Sequence, residues 1–181
     1  MCAVMYSWIE NYIEFQNLSN NANYYDIQFD WMSGGVSAIH KDHCFDKSIG
    51  PFGIKRGDYE IRVTELLRIR GHSIILLPES NLDNIGEKHF DCNIDGRAGE
   101  IKTIEGEGRW NVRTKIYDAA KQKAEVLILY FPKETLYRYE RIVEGWIMTE
   151  QFAILKNIQL SVSKIIPVID TAVFEKLKPP G

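Results

Sequence analysis

Three polar side chains that could share one chemical task flank an Asp-Gly dipeptide. Asp91 precedes Asp95-Gly96, and Glu100 and Lys102 follow it. Asp-Gly favours a two-residue type I′ turn, because both central residues of that turn need positive φ. A hairpin centred on this turn puts Asp91 directly opposite Glu100. The spacing therefore predicts two facing carboxylates with a lysine close by.

Alternation along the strands predicts which side chains share a face. Lys102 projects on the same side as Glu100, and His89, opposite Lys102, joins them. Carboxylates about 5 Å apart repel each other unless a cation lies between them. We expect Asp91 and Glu100 to bind Mg²⁺ or Mn²⁺, which prefer oxygen ligands. Lys102 would orient or activate a water molecule, or neutralise charge on a phosphate.

The same residues also fit the solvent face of an amphipathic hairpin, where ion pairs contribute little stability. Two features count against that interpretation. The neighbouring strands are apolar throughout, which indicates a hairpin inside a buried sheet. The Gly-rich loop 105–109 also leads into a predicted helix with one polar stripe that could close over the carboxylates. The stripe consists of Asn111, Lys115, Asp118 and Gln122.

Apolar periodicity predicts the elements that position the hairpin. Helical spacing at Tyr59, Val63 and Leu66 predicts a helix over 58–70, ended by Gly71. The remaining predicted elements are a buried strand at 73–77, hairpin strands at 89–94 and 98–104, a helix from about 112 to 124 and a buried strand at 126–131. The order is α-β-β-β-α-β, and the predicted fold class is α/β (α+β) with a mixed sheet flanked by helices.

The rest of the chain gives weaker signals. We treat residues 1–50 as an N-terminal extension of unknown role and residues 51–181 as one domain with its core at 57–132. Short strands are predicted at 146–148 and 165–169 around a helical piece near 149–157, followed by a frayed tail.

Composition limits the class of protein. The chain has 181 residues and a net charge of −3, so a globally basic nucleic-acid binder is not indicated. No stretch approaches the roughly 20 apolar residues that span a bilayer, and the N-terminus does not have the pattern of a secretion signal. Three cysteines without CxxC spacing indicate reduced thiols in a cytoplasm. His40, His43 and Cys44 look like half of a zinc site whose other half is missing.

The ordered pattern resembles the PD-(D/E)XK nuclease superfamily over residues 57–132. The stretch from Phe90 to Gly96, then Gly99 to Thr103, then Ala119 to Gln122 before an apolar strand, is similar to nuclease toxin domains at the C-termini of bacterial contact-dependent inhibition proteins. Several of those domains cleave transfer RNA. The chain departs from the pattern at Phe90, where the family has proline.

The resemblance implies a restriction-endonuclease-like core and a metal-dependent endonuclease that hydrolyses phosphodiester bonds, with RNA favoured over DNA. Asp91 and Glu100 would be metal ligands and Lys102 the catalytic lysine. Glu60, Lys115 and Gln122 would be additional site residues, although an acid in the first turn of a helix also suits the helix dipole alone. The resemblance further implies a bacterial toxin delivered into the cytoplasm of a target cell, and an immunity protein that inhibits it.

Two alternatives remain at the level of sequence. One is a metal-independent, barnase-like or colicin-like ribonuclease toxin. Its candidate residues are His72, His89, Arg109, Arg113 and Lys115. The other is a non-catalytic binding or assembly module from a phage or mobile element, which would not bind metal. A basic segment suits any nucleic-acid partner, although such segments are usually solvated faces. It comprises Arg97, Lys102, Arg109, Arg113, Lys115, Lys121 and Lys123.

Overall fold

The structure is a computed structural model that describes residues 3–78, 90–108, 110–121 and 123–170. Its helices are α1 (Ala3–Ser19), α2 (Arg56–Ile69), α3 (Asn111–Lys121) and α4 (Tyr139–Lys156), with a short 3-10 helix at Glu134–Leu136. Its strands are β1 (Tyr24–Phe29), β2 (Val36–His40), β3 (Ser73–Leu76), β4 (Cys92–Ile94), β5 (Arg97–Thr103), β6 (Val126–Phe131) and β7 (Lys164–Ile169).

All seven strands form one mixed sheet in the order β1-β2-β3-β4-β5-β6-β7. The pairs β2–β3, β5–β6 and β6–β7 are parallel, and the other neighbours are antiparallel. The succession α2-β3-β4-β5-α3-β6 is the predicted α-β-β-β-α-β order, so the predicted fold class is confirmed.

Helices cover the two faces of the sheet differently. α2 packs on one face, where Val63 and Leu67 join a core cluster with Cys92, Ile94 and other strand residues. On the opposite face, α1 covers the β1–β3 side. The pair α3 and α4 covers the β6 side of that face, over Leu127 and Leu129. The hairpin β4–β5 lies in the middle of the sheet, between these two helical covers.

The turn of the hairpin has the predicted backbone conformation. Asp95 and Gly96 have φ values of +50° and +76°, as a type I′ turn requires. The ladder pairs Ile94 with Arg97 and Cys92 with Gly99, which is the predicted register. A Cβ at Gly99 would lie 2.7 Å from the Cys92 sulfur, so glycine leaves room for the side chains of Cys92 and Ile94 on the partner strand.

The first 50 residues supply part of the same sheet. β1 and β2 form an antiparallel pair, and β2 continues the sheet by pairing in parallel with β3. α1 packs on these strands through an aromatic cluster that includes Tyr12, Phe15 and Phe29. The N-terminal segment is therefore structurally continuous with the strands that carry the hairpin.

The strand predicted at 146–148 is wrong, because these residues lie in the middle of α4. Their β-branched and aromatic side chains favour a strand locally, but the buried positions Ile142, Gly145, Thr149 and Ala153 follow a helical period. Gly145 allows close contact with α3, since a Cβ there would lie 3.2 Å from the backbone nitrogen of Arg113. Packing against α3 therefore decides the conformation. The strand predicted at 165–169 is confirmed as β7, and the tail from residue 171 lies outside the described part of the chain.

None of the helices in the described ranges is long and apolar enough to cross a membrane.

Candidate active site on the central hairpin

Glu100 is a buried carboxylate in the centre of the sheet. Its relative exposure is 1%, although strand β5 continues to the more exposed Lys102 and Thr103. Lys102 donates a hydrogen bond from Nζ to Oε1 of Glu100. The other oxygen, Oε2, is buried and forms no hydrogen bond within the part of the chain that the structure describes. Burying a hydrogen-bond acceptor without a partner destabilises the folded protein by about 1–3 kcal/mol, and by more when the acceptor is charged.

Asp91 lies immediately before β4, so the ladder ends one residue short of the predicted Asp91–Glu100 pair. Its carboxylate nevertheless reaches the partner strand, because Oδ2 accepts a hydrogen bond of 2.8 Å from the backbone nitrogen of Ile101. Its carbonyl oxygen accepts another from the nitrogen of Leu77, at 3.0 Å. Asp91 is thus fixed between β3 and β5, beside Glu100.

The ionisation of Glu100 reflects these surroundings. Burial raises the pKa of Glu100 above its ordinary value, and the negative charge of Asp91 raises it further. The charge and hydrogen bond of Lys102, together with the backbone N–H of Asp91, act in the opposite direction without reversing the shift. The negative charge of Asp91 therefore adds to the cost of burying Glu100, and Lys102 offsets only part of the combined effect.

Cys92 lies within reach of the same negative charges. Burial raises the pKa of its thiol well above the ordinary value, and Asp91, Glu100 and Glu60 each add to the shift. Glu60, which belongs to α2, therefore adds negative charge on the face of the sheet that carries Cys92.

Glu60 has a direct partner that its position in the sequence does not reveal. Nε2 of His43 lies 2.9 Å from Oε2 of Glu60, and Nδ1 of His43 lies 2.7 Å from the carbonyl oxygen of Leu77. The His43 side chain is 5% exposed. Glu60, a predicted site residue, is thus bonded to a buried histidine.

His43 is the site residue that sequence reasoning missed. The sequence offered His43 only as half of a zinc site, together with His40 and Cys44. In the structure His40 contacts Asp42 instead, and Cys44 is exposed. No sequence pattern links His43 to Glu60, which lies 17 residues later.

A second buried oxygen lies on the same face as Glu100. Asn93 pairs with Ala98 across the ladder, and Ala98 and Glu100 are two residues apart on β5, so their side chains share one face. Oδ1 of Asn93 is buried and forms no hydrogen bond with a described residue. Buried polar groups are normally satisfied, so Asn93 and Glu100 place two acceptors with unused hydrogen-bonding capacity on one face.

Other predicted site residues are not brought to the carboxylates by direct contacts. Lys115 is partly exposed on α3, and no hydrogen bond or ion pair joins it to Asp91, Glu100 or Lys102. Gln122, His89 and Arg109 lie outside the described residues.

The alternative ribonuclease residues that the structure describes lie in two places, with His72 at the turn end of the hairpin and Arg113 and Lys115 on α3. Nδ1 of His72 lies 2.8 Å from Oδ2 of Asp95, at the turn end of the hairpin and away from Lys102. Arg113 stacks over the indole of Trp110, with 5.3 Å between Cζ and the ring centroid.

The donor set suits a hard divalent cation that retains several waters. Asp91 and Glu100 supply carboxylates, and the unpartnered Oε2 of Glu100 is a buried negative atom that a cation would satisfy. Within the described ranges, no group of three or more histidine, cysteine, aspartate or glutamate side chains is placed to hold a metal.

Comparison of the chain with models of known protein families, with curated proteins and with solved structures found no match.

Proposed function

We propose that the protein is a metal-dependent endonuclease of the PD-(D/E)XK type that hydrolyses phosphodiester bonds in RNA. The observation that carries the proposal is the buried Glu100 carboxylate, with one oxygen bound by Lys102 and the other unpartnered, beside Asp91. Two repelling carboxylates and a lysine are a costly combination in the middle of a sheet. A catalytic role explains why these residues stand where apolar side chains would be more stable.

Each residue has a chemical task in this proposal. Asp91 and Glu100 would hold Mg²⁺ or Mn²⁺, which supplies Lewis-acid stabilisation of negative charge on the phosphate. Water forms the new bond to phosphorus, the bond to the leaving oxygen breaks, and a proton moves to that oxygen. The Lys102 ammonium stabilises the charge that develops on the phosphate oxygens, as a preorganised donor.

Glu60 and His43 act as positioning residues in this proposal. His43 bonds to the carbonyl oxygen of Leu77, and the nitrogen of Leu77 bonds to the carbonyl oxygen of Asp91. The orientation of Asp91 is therefore coupled to the His43–Glu60 pair. Lys115, on α3, and Gln122, which is outside the described residues, remain proposed substrate contacts.

The biological setting follows from the resemblance to contact-dependent inhibition toxins. We expect transfer RNA as the substrate, the cytoplasm of a bacterial target cell as the place of action, and an immunity protein as the inhibitor. The overall charge is negative, so we expect the protein to bind its substrate through local contacts and not through the charge of its whole surface.

The direct test compares the wild type with the double variant Glu100→Gln, Lys102→Ala. Both are incubated with total transfer RNA and with plasmid DNA, in Mg²⁺, in Mn²⁺ and in excess EDTA. Lys47→Ala, an exposed lysine in the loop before α2, is the matched control. We expect the wild type and the control to cut RNA only with metal, and the double variant not to cut.

Other outcomes discriminate the alternatives. Cleavage that survives EDTA or the double variant would favour the metal-independent ribonuclease. Cleavage of DNA alone would overturn the RNA assignment. No cleavage under any condition would favour a binding or assembly module.

A further inference from the structure

A groove lined by aromatic rings lies between α3 and α4. In the chain, α3 is the helix that follows β5, the strand of Glu100 and Lys102. It has a volume of about 280 Å³ and is lined by Trp110, Arg113, Thr114, Tyr117, Thr149 and Phe152. Pockets for drug-sized ligands are usually about 300–1,000 Å³. The groove is therefore sized for one flat ring system.

The side chains around the groove are arranged for stacking. Trp110 is 50% exposed, and the guanidinium of Arg113 lies over its ring. Tyr117 and Phe152 meet edge to face, with 5.1 Å between their ring centroids. Single-stranded nucleic acids are bound by aromatic rings and arginine planes on which unpaired bases stack.

Arg113 places a positive charge at the groove. Arg113 forms no ion pair with any carboxylate among the described residues. A guanidinium that stacks on an indole keeps its charge available for a phosphate on the same nucleotide. The groove thus offers an aromatic platform and a cation for one ligand class, a nucleotide.

Chain connectivity places the groove near the hairpin site. Gly106 lies four residues after Lys102, so the two Cα atoms are at most about 14 Å apart. The side chain of Asn111, next to Trp110, donates to the carbonyl oxygen of Gly106 at 3.1 Å. The loop is therefore folded back, and α3 begins close to the end of β5 that carries Lys102.

We propose that this groove binds an unstacked base of single-stranded RNA next to the phosphate that is cut. The proposal rests on the proposed function and deepens it, since it makes an unpaired loop or end the substrate instead of a duplex. Trp110 is the stacking residue and Arg113 the contact to the backbone phosphate.

The test measures binding without cleavage, in excess EDTA, by fluorescence anisotropy of a short, labelled single-stranded RNA of mixed sequence. Trp110→Ala should weaken binding about 5-fold to 150-fold, which corresponds to the loss of one stacked base. Trp110→Phe should restore most of the affinity, and Arg113→Gln should weaken binding and reduce its salt dependence. Tyr139→Ala is the matched control, because Tyr139 is an exposed aromatic residue in a different groove, at the start of α4.

Two further binding measurements separate base stacking from a general electrostatic attraction to nucleic acid. Single-stranded DNA should lose affinity with Trp110→Ala as well, because every base has an aromatic face. Duplex RNA should bind equally to the wild type and to Trp110→Ala. Equal loss for duplex RNA, unchanged binding of single strands to a folded Trp110→Ala, or no binding by the wild type would each overturn the inference.

The outcomes remain distinct from those for the proposed function. If the wild type cuts RNA with metal but Trp110→Ala binds single strands normally, the groove inference is wrong and the nuclease proposal stands. If Trp110-dependent binding is measured without any cleavage, the nuclease proposal fails and the groove remains a nucleotide-binding site.

Discussion

The imidazole of His43 lies between two hydrogen-bond acceptors, Oε2 of Glu60 at 2.9 Å and the carbonyl oxygen of Leu77 at 2.7 Å. A neutral imidazole has only one donor, so both contacts are satisfied together only when the ring is protonated. Burial lowers the pKa of His43, but these hydrogen bonds and the charges of Glu60 and Asp91 outweigh burial and raise it above its ordinary value. Through these two contacts, His43 links the loop after β2 to Glu60 on α2 and to Leu77 just after β3. The nitrogen of Leu77 in turn binds the carbonyl oxygen of Asp91.

This relationship predicts a pH dependence of stability. A folded-state pKa above the unfolded value, which is about 6.5 for histidine, gives stabilisation that is complete below that pH and lost as the pH rises through the folded pKa. The urea midpoint of the wild type, in EDTA, should therefore be constant below about pH 6.5 and should fall as the pH rises through the raised folded-state pKa of His43. His43→Gln should lack this component.

His40→Gln serves as the control, because His40 lies in the same region but contacts the exposed Asp42. It should keep the pH dependence of the wild type. Parallel pH profiles for the wild type and His43→Gln would contradict the role assigned to the His43–Glu60 pair.

Mg²⁺ should stabilise the folded protein through Asp91 and Glu100. A ligand present at 100 times its dissociation constant adds about 2.7 kcal/mol to the free energy of unfolding, which raises the thermal midpoint of a chain of this size by about 5–10 °C. Glu100→Gln and Asp91→Asn should abolish the shift. Glu125→Gln, which removes an exposed carboxylate paired with Arg97, should retain it. A shift that persists without both hairpin carboxylates would place the metal elsewhere.

Lys102→Met should separate stability from activity. It leaves the buried Glu100 without its cation, and breaking a buried pair in this way costs about 3–5 kcal/mol. The double variant Glu100→Gln, Lys102→Met should recover part of that loss, because it removes the buried charge. Cleavage by either variant should be about 100-fold to 10,000-fold slower than by the wild type. Urea unfolding and RNA cleavage measure the two effects, and a double variant less stable than Lys102→Met would show that Glu100 is not an uncompensated charge.

His72→Ala should leave cleavage unchanged, because His72 bonds to Asp95 at the turn end of the hairpin. Burial raises the pKa of Asp95, but the hydrogen bond and charge of His72 outweigh it and hold the pKa below its ordinary value. The pair therefore stabilises the protein above the unfolded pKa of about 3.9 and loses that effect as the pH falls further. His72→Ala should lower stability slightly near neutral pH and much less near pH 3. Loss of cleavage in a folded His72→Ala would instead support the metal-independent ribonuclease.

Gly99→Ala should loosen the hairpin. Its Cβ would lie 2.7 Å from the sulfur of Cys92 and 3.0 Å from Cγ2 of Ile94, and overpacking of this kind typically costs about 1–3 kcal/mol. Cys92→Ala removes the closest atom, so the combination should cost less than the sum of the two single changes. Urea midpoints of the wild type, the two single variants and the double variant give the interaction free energy between positions 92 and 99. Strictly additive effects would show that the contact between these two positions does not limit packing.

Local sequence determined the hairpin and the strands around it. Asp95-Gly96 dictates the turn, the turn dictates the register, and alternation then places Glu100 and Lys102 on one face. The apolar runs that became β3 and β6 are buried at every position, as their composition predicts. These features depend on neighbours within a few residues, for which backbone preferences and periodicity suffice.

Tertiary structure decided what depends on distant contacts. His43 meets Glu60 only because the loop after β2 crosses the end of β3, and residues 1–50 join the sheet only because β2 pairs with β3. Trp146 belongs to a helix because α4 packs on α3 through Gly145, against the local preference of its neighbours. The burial that leaves one Glu100 oxygen unpartnered likewise comes from the assembled layers. A single sequence does not encode such pairings in any local pattern, since their free energy arises only when the elements are packed together.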